Sequence, residues 1–171
     1  MRKTTKTPAG NARVTKVTPK TRVKLPPNPF VHEILDLVEE QKTKAKKISI
    51  LKEYRNDALT AILIWNFDSS VKSAVPDGQV PYKENEVPVG TDHTSLRKEY
   101  ANLYHFVKGG NDSLSSIRRE TMFIQMLEGL HPQEADILTL VKDGGLERQY
   151  PKITKGVVDA AYPDIVWGSR G

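Results

Sequence analysis

Four histidines, His32, His93, His105 and His131, are the side chains best suited to proton or metal chemistry near neutral pH. No two stand four apart, the spacing that sets two imidazoles on one helix face, and no His-Glu-x-x-His run occurs. His131 directly precedes Pro132, which fits a helix cap or turn better than metal ligation. His105 adjoins Tyr104 and is expected at the surface or the core boundary. The closest acidic pairs are Glu39-Glu40 and Glu134-x-Asp136. General acid–base work needs an opposed partner in a cleft, so these acids read as solvated groups or partners of a helix dipole. Gly109-Gly110 and Gly144-Gly145 follow helical stretches, whereas phosphate loops place glycines ahead of a helix. They read as left-handed helix ends. No P-loop or Gly-x-Ser-x-Gly spacing occurs. There is no cysteine, which excludes disulfides, thiol catalysis and thiolate metal sites. The expectation is a non-enzyme with no catalytic residue, no metal and no cofactor.

What remains is charge. The 171 residues carry a net charge of +5, unevenly distributed. Arg2, Lys3, Lys6, Arg13, Lys16, Lys20, Arg22 and Lys24 stand in a stretch without one acid up to residue 30. The rest holds 18 basic against 21 acidic residues and is mildly acidic. Any affinity for a polyanion therefore belongs to this arm. Its Lys and Arg alternate with Thr, Val, Pro and Gly, too little apolar surface to offset the entropy of ordering. Interleaved Thr hydroxyls add hydrogen-bond donors for phosphate. Lys44, Lys46 and Lys47 extend the candidate partner surface, with Lys42 and Lys52 beside them, diluted by Glu39, Glu40 and Glu53. Arg118-Arg119 opens a helix at its positive end, a local conflict that marks either a contact or an ion pair with Glu120 or Asp112.

The elements that position these groups read as helical. Asn28 with Pro29 predicts a helix start, followed by the stripe Phe30, Val31, Ile34, Leu35 and Val38. A break is expected near Thr43, then a period through Ala45, Ile48, Leu51 and Tyr54. Asn56 or Asp57 caps a helix with Leu59, Ile62, Leu63 and Trp65 inward, ending at Asn66-Phe67-Asp68. Residues 69–92 hold Pro76, Pro81, Pro88, Gly78 and Gly90 and no period. So long a loop is expected to be either functional or mobile, with Val80-Pro81-Tyr82 and Val87-Pro88-Val89 as short apolar anchors for pinning it across the surface. Thr94 or Ser95 opens a stripe of Leu96, Tyr100, Leu103, Tyr104 and Val107. Asp112 or Ser113 opens the next, with Leu114, Ile117, Phe123, Ile124, Leu127 and Leu130 inward. Pro132 and Thr154 start the last two helices, carrying Ala135, Leu138, Val141 and Val157, Val158, Ala161. The reading is all-α: a compact bundle of about six or seven short helices over residues 30–171, behind an arm over 1–29.

The run Arg118-Arg119-Glu120-Thr121-Met122-Phe123-Ile124-Gln125-Met126-Leu127-Glu128-Gly129-Leu130-His131-Pro132-Gln133-Glu134-Ala135 resembles a family of small uncharacterised proteins of T4-like tailed bacteriophages, notably those infecting cyanobacteria. Val141-Lys142-Asp143, Tyr150-Pro151-Lys152-Ile153-Thr154-Lys155, Asn66-Phe67-Asp68 and Asn102-Leu103-Tyr104 fit the same pattern. The likeness spans roughly residues 30–165 and leaves the arm outside. It implies a phage protein made in a bacterial cytoplasm and carries no catalytic residue across.

The longest apolar run, Ala61 to Trp65, is far too short for a membrane span. The basic N-terminus lacks the apolar stretch of a secretory signal. The expected function is a non-catalytic phage protein that holds DNA, RNA or a nucleoprotein, or else an acidic protein surface, through its arm, in the host cytoplasm or the virion. Two rivals differ in class. One is a virion structural or assembly protein whose arm runs over neighbouring subunits. The other is a host-takeover adaptor whose acidic body and 69–92 loop bind a bacterial protein.

Overall fold

In the computed structural model, residues 24–86 and 93–170 are described. Of the basic arm only Lys24 falls among them; Arg2, Lys3, Lys6, Arg13, Lys16, Lys20 and Arg22 lie outside the described residues, as do 87–92 of the long loop. The fold is all-α. Its helices are α1 (Val31–Glu40), α2 (Lys44–Glu53), α3 (Asp57–Phe67), α4 (Leu96–Glu99), α5 (Ser116–Gly129), α6 (Pro132–Lys142) and α7 (Lys155–Ala161). Two 3-10 segments, Tyr100–Phe106 and Leu146–Arg148, follow α4 and α6. Among the described residues there is no strand, only the isolated bridges Ser73–Val107 and Thr94–Leu130. No helix among them is long and apolar enough to cross a membrane.

Helix α3 is the hub, because apolar residues occupy most of its circumference. Ala58, Leu59, Ile62, Leu63 and Trp65 are buried, and α6 and α4 pack against it. Asn56 caps its start by accepting from Leu59 N at 2.9 Å. The stripe of α1 is buried as its spacing requires: Val31, Ile34, Leu35 and Val38. The start of α1 falls two residues later than Asn28-Pro29 implied. Phe30 holds the cap position, and Glu33 reaches back to accept from Phe30 N at 2.8 Å. Asn28 accepts instead from Arg97 Nη2 at 3.3 Å. Thr43 caps α2, which lies between α1 and α7. Leu51 is its buried contact, while Ala45, expected inward, is exposed. The arm boundary also moves, since Leu25 packs against the core and Pro29 is buried.

Two stripes are rearranged by local geometry. After Glu99 the chain tightens into a 3-10 helix with three residues per turn. Tyr100, Leu103 and Phe106 therefore share a side; Leu103 and Phe106 are buried and Tyr104 turns outward. In α5 the cap is Ser115, later than expected, and Ile117 is 77% exposed. The inward place one turn before Phe123 belongs to Arg119. Its guanidinium is buried on the carbonyls of His105 (2.8 Å), Asn111 (2.8 Å) and Leu114 (3.0 Å). Arg119 thus staples the end of the 3-10 segment to the turn before α5 and forms neither of the two ion pairs considered for it.

The described part of the long loop is pinned. Trp65 Nε1 donates to Ser73 Oγ at 2.9 Å, and Ser73 Oγ donates to the Lys142 carbonyl. Lys142, fully buried, donates from Nζ to the carbonyls of Pro76 (2.9 Å) and Gly78 (2.8 Å) and to Asp143 (2.7 Å). Gly78 adopts φ 95°, a left-handed conformation that a β-carbon disfavours. Further on, Lys83 N donates to Glu128 at 3.0 Å. Gly109 and Gly144 have φ of 87° and 67°, the left-handed ends expected of them.

The C-terminal segment is tied down through Asp68, the buried cap after α3. Its carboxylate accepts from Ser70 N (2.9 Å), Ser70 Oγ (2.6 Å), Gly168 N (3.1 Å) and Arg170 Nη1 (2.7 Å). Burial alone pushes this carboxyl up, but the Ser70, Arg170 and Gly168 hydrogen bonds outweigh it and hold the group down at about 2. A depressed folded value stabilises the protein above the ordinary 3.8 and is lost as pH falls through that value toward about 2. Asp68→Asn should cost about 2–4 kcal/mol at neutral pH in denaturant titration. The gap between variant and parent should close as pH approaches 2.

Candidate functional site

Lys24, the last residue of the basic arm, is exposed at the edge of the body. The chain enters beside α2: Leu25 N donates to the Tyr54 hydroxyl at 3.3 Å, and Tyr54 is the cap residue that closes α2. The arm is thereby rooted at one end of the helix that carries the second group of lysines. On α2, Lys44, Lys46 and Lys52 are exposed, as is Lys42 just before it. None makes an ion pair among the described residues. Neighbouring α7 adds exposed Lys155, held 4.5 Å over the Trp167 ring. Arg55, near the arm root, is committed elsewhere: its guanidinium forks onto Asp164 with two 2.7 Å contacts and covers Tyr162 at 4.3 Å.

Lys47 does not share this surface. It is buried, and its ammonium donates to the Gln41 carbonyl at 2.6 Å. Gln41 closes α1, so Lys47 is the cation at that helix's negative end. The grouping of Lys47 with Lys44 and Lys46 is corrected accordingly. The period of α2 places it on the side turned to α1, four residues before buried Leu51.

A second convergence joins groups far apart in sequence. His131 is the cap of α6, its Nδ1 accepting from Gln133 N at 3.1 Å, the capping role expected of it. Its ring stacks on His32 of α1, with centroids 4.8 Å apart, and meets His93 edge-on at 5.5 Å. Phe30 closes the cluster, 4.9 Å from His131 and 5.4 Å from His32. His32 Nδ1 and both ring nitrogens of His93 are buried and have no hydrogen-bond partner among the described residues. Beneath them lies Glu134, which is fully buried. One carboxylate oxygen accepts from Val31 N at 2.8 Å and the other from Leu96 N at 2.8 Å. Glu134 itself stands in the first turn of α6, so one carboxylate serves the starts of α1, α4 and α6. Burial pushes this carboxyl up, and the hydrogen bonds from Leu96 and Val31 offset that only in part.

The arrangement is that of a packing junction. Both carboxylate oxygens of Glu134 are engaged by amides, and nearby Thr94 donates its hydroxyl to Glu99 at 2.9 Å. Among the described residues, no group of three His, Asp or Glu is placed to hold a metal ion. The sequence pattern placed Glu134 as a surface acid near a helix dipole. The dipole role is right, the exposure is not. His32, His93 and His131 were read separately because their mutual spacings match no helical period. The single sequence signal was Glu134 at the third position after the His131-Pro132 start.

A family model described as a family of unknown function, DUF6433, matches residues 34–148. No curated protein and no solved structure matches the chain. The matched stretch contains Lys44, Lys46, His131 and Glu134 and leaves the arm outside.

Two consequences are measurable. Glu134→Gln keeps the shape but turns an amide donor toward a backbone N–H, leaving that N–H unpaired. It should cost about 1–3 kcal/mol, and Glu134→Ala about 2–5 kcal/mol, because two buried amides then lose their acceptor. Separately, burial lowers His32, with His131 adding to the effect against Asp36 and Glu33. Burial lowers His131, with His93 adding to it against Glu33. A lowered folded value favours the neutral ring, so this stability is complete above the ordinary 6.5 and is lost as pH falls below it. The melting temperature should fall from pH 7 to 5, and His32→Phe should flatten that fall.

Proposed function

The chain belongs to this family of unknown function, and we propose that it is a non-catalytic phage protein that holds a nucleic-acid or nucleoprotein partner through its basic N-terminal arm. Supporting the phage assignment is the resemblance carried by Arg118–Ala135 and the shorter matching stretches. Supporting the partner class is one observation above others: the acid-free stretch with eight basic residues joins the body at Tyr54, at the end of α2 that carries exposed Lys52. The arm then supplies charge that follows a phosphate backbone, and Lys44, Lys46 and Lys52 extend that charge onto a rigid helix. Affinity of this kind comes from releasing condensed counterions and is insensitive to base sequence. The partner chemistry is a polyphosphate backbone, DNA or RNA. The role is that of an accessory factor on the genome or of a virion component next to it.

The test is fluorescence anisotropy with duplex DNA across a salt series, using the full chain and a chain beginning at residue 24. If about half of the arm's basic groups engage, log affinity should fall with log salt at a slope of about −3 to −4, near −0.9 per contact. The shortened chain should lose most of the affinity while keeping its melting temperature, since it retains Leu25 and every other described residue packed on the core. Equal binding by both chains would overturn the arm as the site. Absence of binding by either at low salt would overturn the nucleic-acid reading. The assembly role would then be tested by mass spectrometry of purified virions, and the adaptor role by binding to host proteins.

A further inference from the structure

The described part of the long loop follows one side of α5. Glu128, Ile124 and Ile117 stand four and seven residues apart, so they lie in one line along that side. Near the helix end Lys83 N donates to Glu128, and one turn earlier Val80 and Pro81 form a slot with Ile124. Two turns earlier again, Ile117 is left 77% exposed. The slot holds about 190 Å³ and has Val75 and Phe123, both buried, among its walls. That is below the roughly 300–1,000 Å³ of a small-molecule pocket, so it admits a single side chain. Its loop wall is held in place. The Lys142 ammonium, itself fully buried, bonds the Pro76 and Gly78 carbonyls, and Asp143 accepts from Gly78 N at 3.2 Å. A slot formed in advance loses little binding free energy to ordering.

Two carboxylates line the slot itself, Asp77 from the loop and Glu120 from α5, and no cation lines it among the described residues. Neither acid makes an ion pair among those residues. The cations nearby in the chain are committed elsewhere, Lys142 also to Asp143 and Arg119 to three carbonyls. Arg118 stands two residues before Glu120, on a different side of the helix. An apolar slot with two unpaired acids fits a side chain that buries an apolar stem and keeps a cationic head at the opening. Arginine suits it best, because its planar fork pairs with carboxylates two bonds at a time. Exposed Ile117, in line with the slot, offers an apolar contact to a residue adjoining that arginine, which a free amine cannot use. A phosphate backbone is repelled here. A twofold contact of two copies through this face would set four carboxylates together.

We propose that this slot docks a segment of a partner protein that presents an arginine with an apolar neighbour, the guanidinium entering between Asp77 and Glu120 and the neighbour packing on Ile117. The site is separate from the arm and α2 and stands or falls independently of the nucleic-acid reading. The test is a nuclear magnetic resonance titration of the full-length, nitrogen-15-labelled chain with a short end-blocked peptide carrying one arginine flanked by leucines. Amide signals of Asp77, Ile117, Glu120 and Ile124 should shift together and saturate. Citrulline in place of the arginine keeps the shape and removes the charge, and should weaken binding about tenfold, as should Asp77→Asn with Glu120→Gln. Ile117→Ser should weaken it about fivefold, through lost burial of part of one apolar side chain. Asp77 and Ile117 are exposed and Glu120 is half-buried, so the spectra of these variants should otherwise match the parent. The citrulline comparison uses the unaltered protein and decides the matter even if a variant unfolds. Equal binding of the two peptides, or saturation without shifts at these four amides, overturns the slot. Binding of agmatine alone as tightly as the peptide would overturn a polypeptide occupant in favour of a free amine. If the signals of residues 1–23 shift in step with those of the slot, the peptide is displacing the chain's own arm, and a separate partner is overturned.

Discussion

The carboxylate of Glu134 is the constraint on which the helical arrangement turns. Every helix begins with backbone amides that have no partner inside the helix. Here two such amides, from Val31 and Leu96, are buried, and one side chain from a third helix satisfies both. The same group lies in the first turn of α6, where negative charge is favoured. Starts of α1, α4 and α6 must therefore meet within the reach of one glutamate. That requirement brings His32, His93 and His131 into the same place, as the residues adjoining those starts. The histidine cluster is thus a consequence of the junction, and burial there lowers His32 and His131 from their ordinary value.

The rest of the body uses the same device with other charges. Arg119 gathers three carbonyls, Lys142 two carbonyls and a carboxylate, Lys47 one carbonyl, and Asp68 four donors from three residues, Ser70 contributing two. Short helices leave many terminal groups and connections for each unit of core. Buried charges that bond to backbone are a way to satisfy those groups, and each is costly to remove because its partners are then stranded. The result is a body in which segments without secondary structure, such as 70–86 and 162–170, are held by polar staples as well as by apolar contact.

This use of charge separates structure from function. Lys47, Arg119, Lys142 and the Arg55–Asp164 pair belong to the fold, and so leave the partner-facing roll. Exposed Lys44, Lys46 and Lys52 on α2 make no ion pair among the described residues and so remain available to a partner.

The sequence by itself determined the helical class, most of the helix ends and the inward stripes of α1, α3 and α6. These depend on residues within one or two turns of each other: Asn56 with Leu59, Thr154 with Val157, Gly109 and Gly144 at left-handed ends. It also determined the division between a basic arm and an acidic body, which is a matter of counting. Only the tertiary structure decided which charges are buried. Glu134 meets Val31 across 103 residues, and Lys142 meets Pro76 across 66. No local spacing encodes such pairs, because a buried charge is admitted by partners that arrive from other elements. The same reason applies to the 3-10 segment, whose tighter pitch exchanged Tyr104 for Phe106 in the core. Helical period reports which residues share a side, but packing selects the pitch, and so selects which aromatic ring is left at the surface.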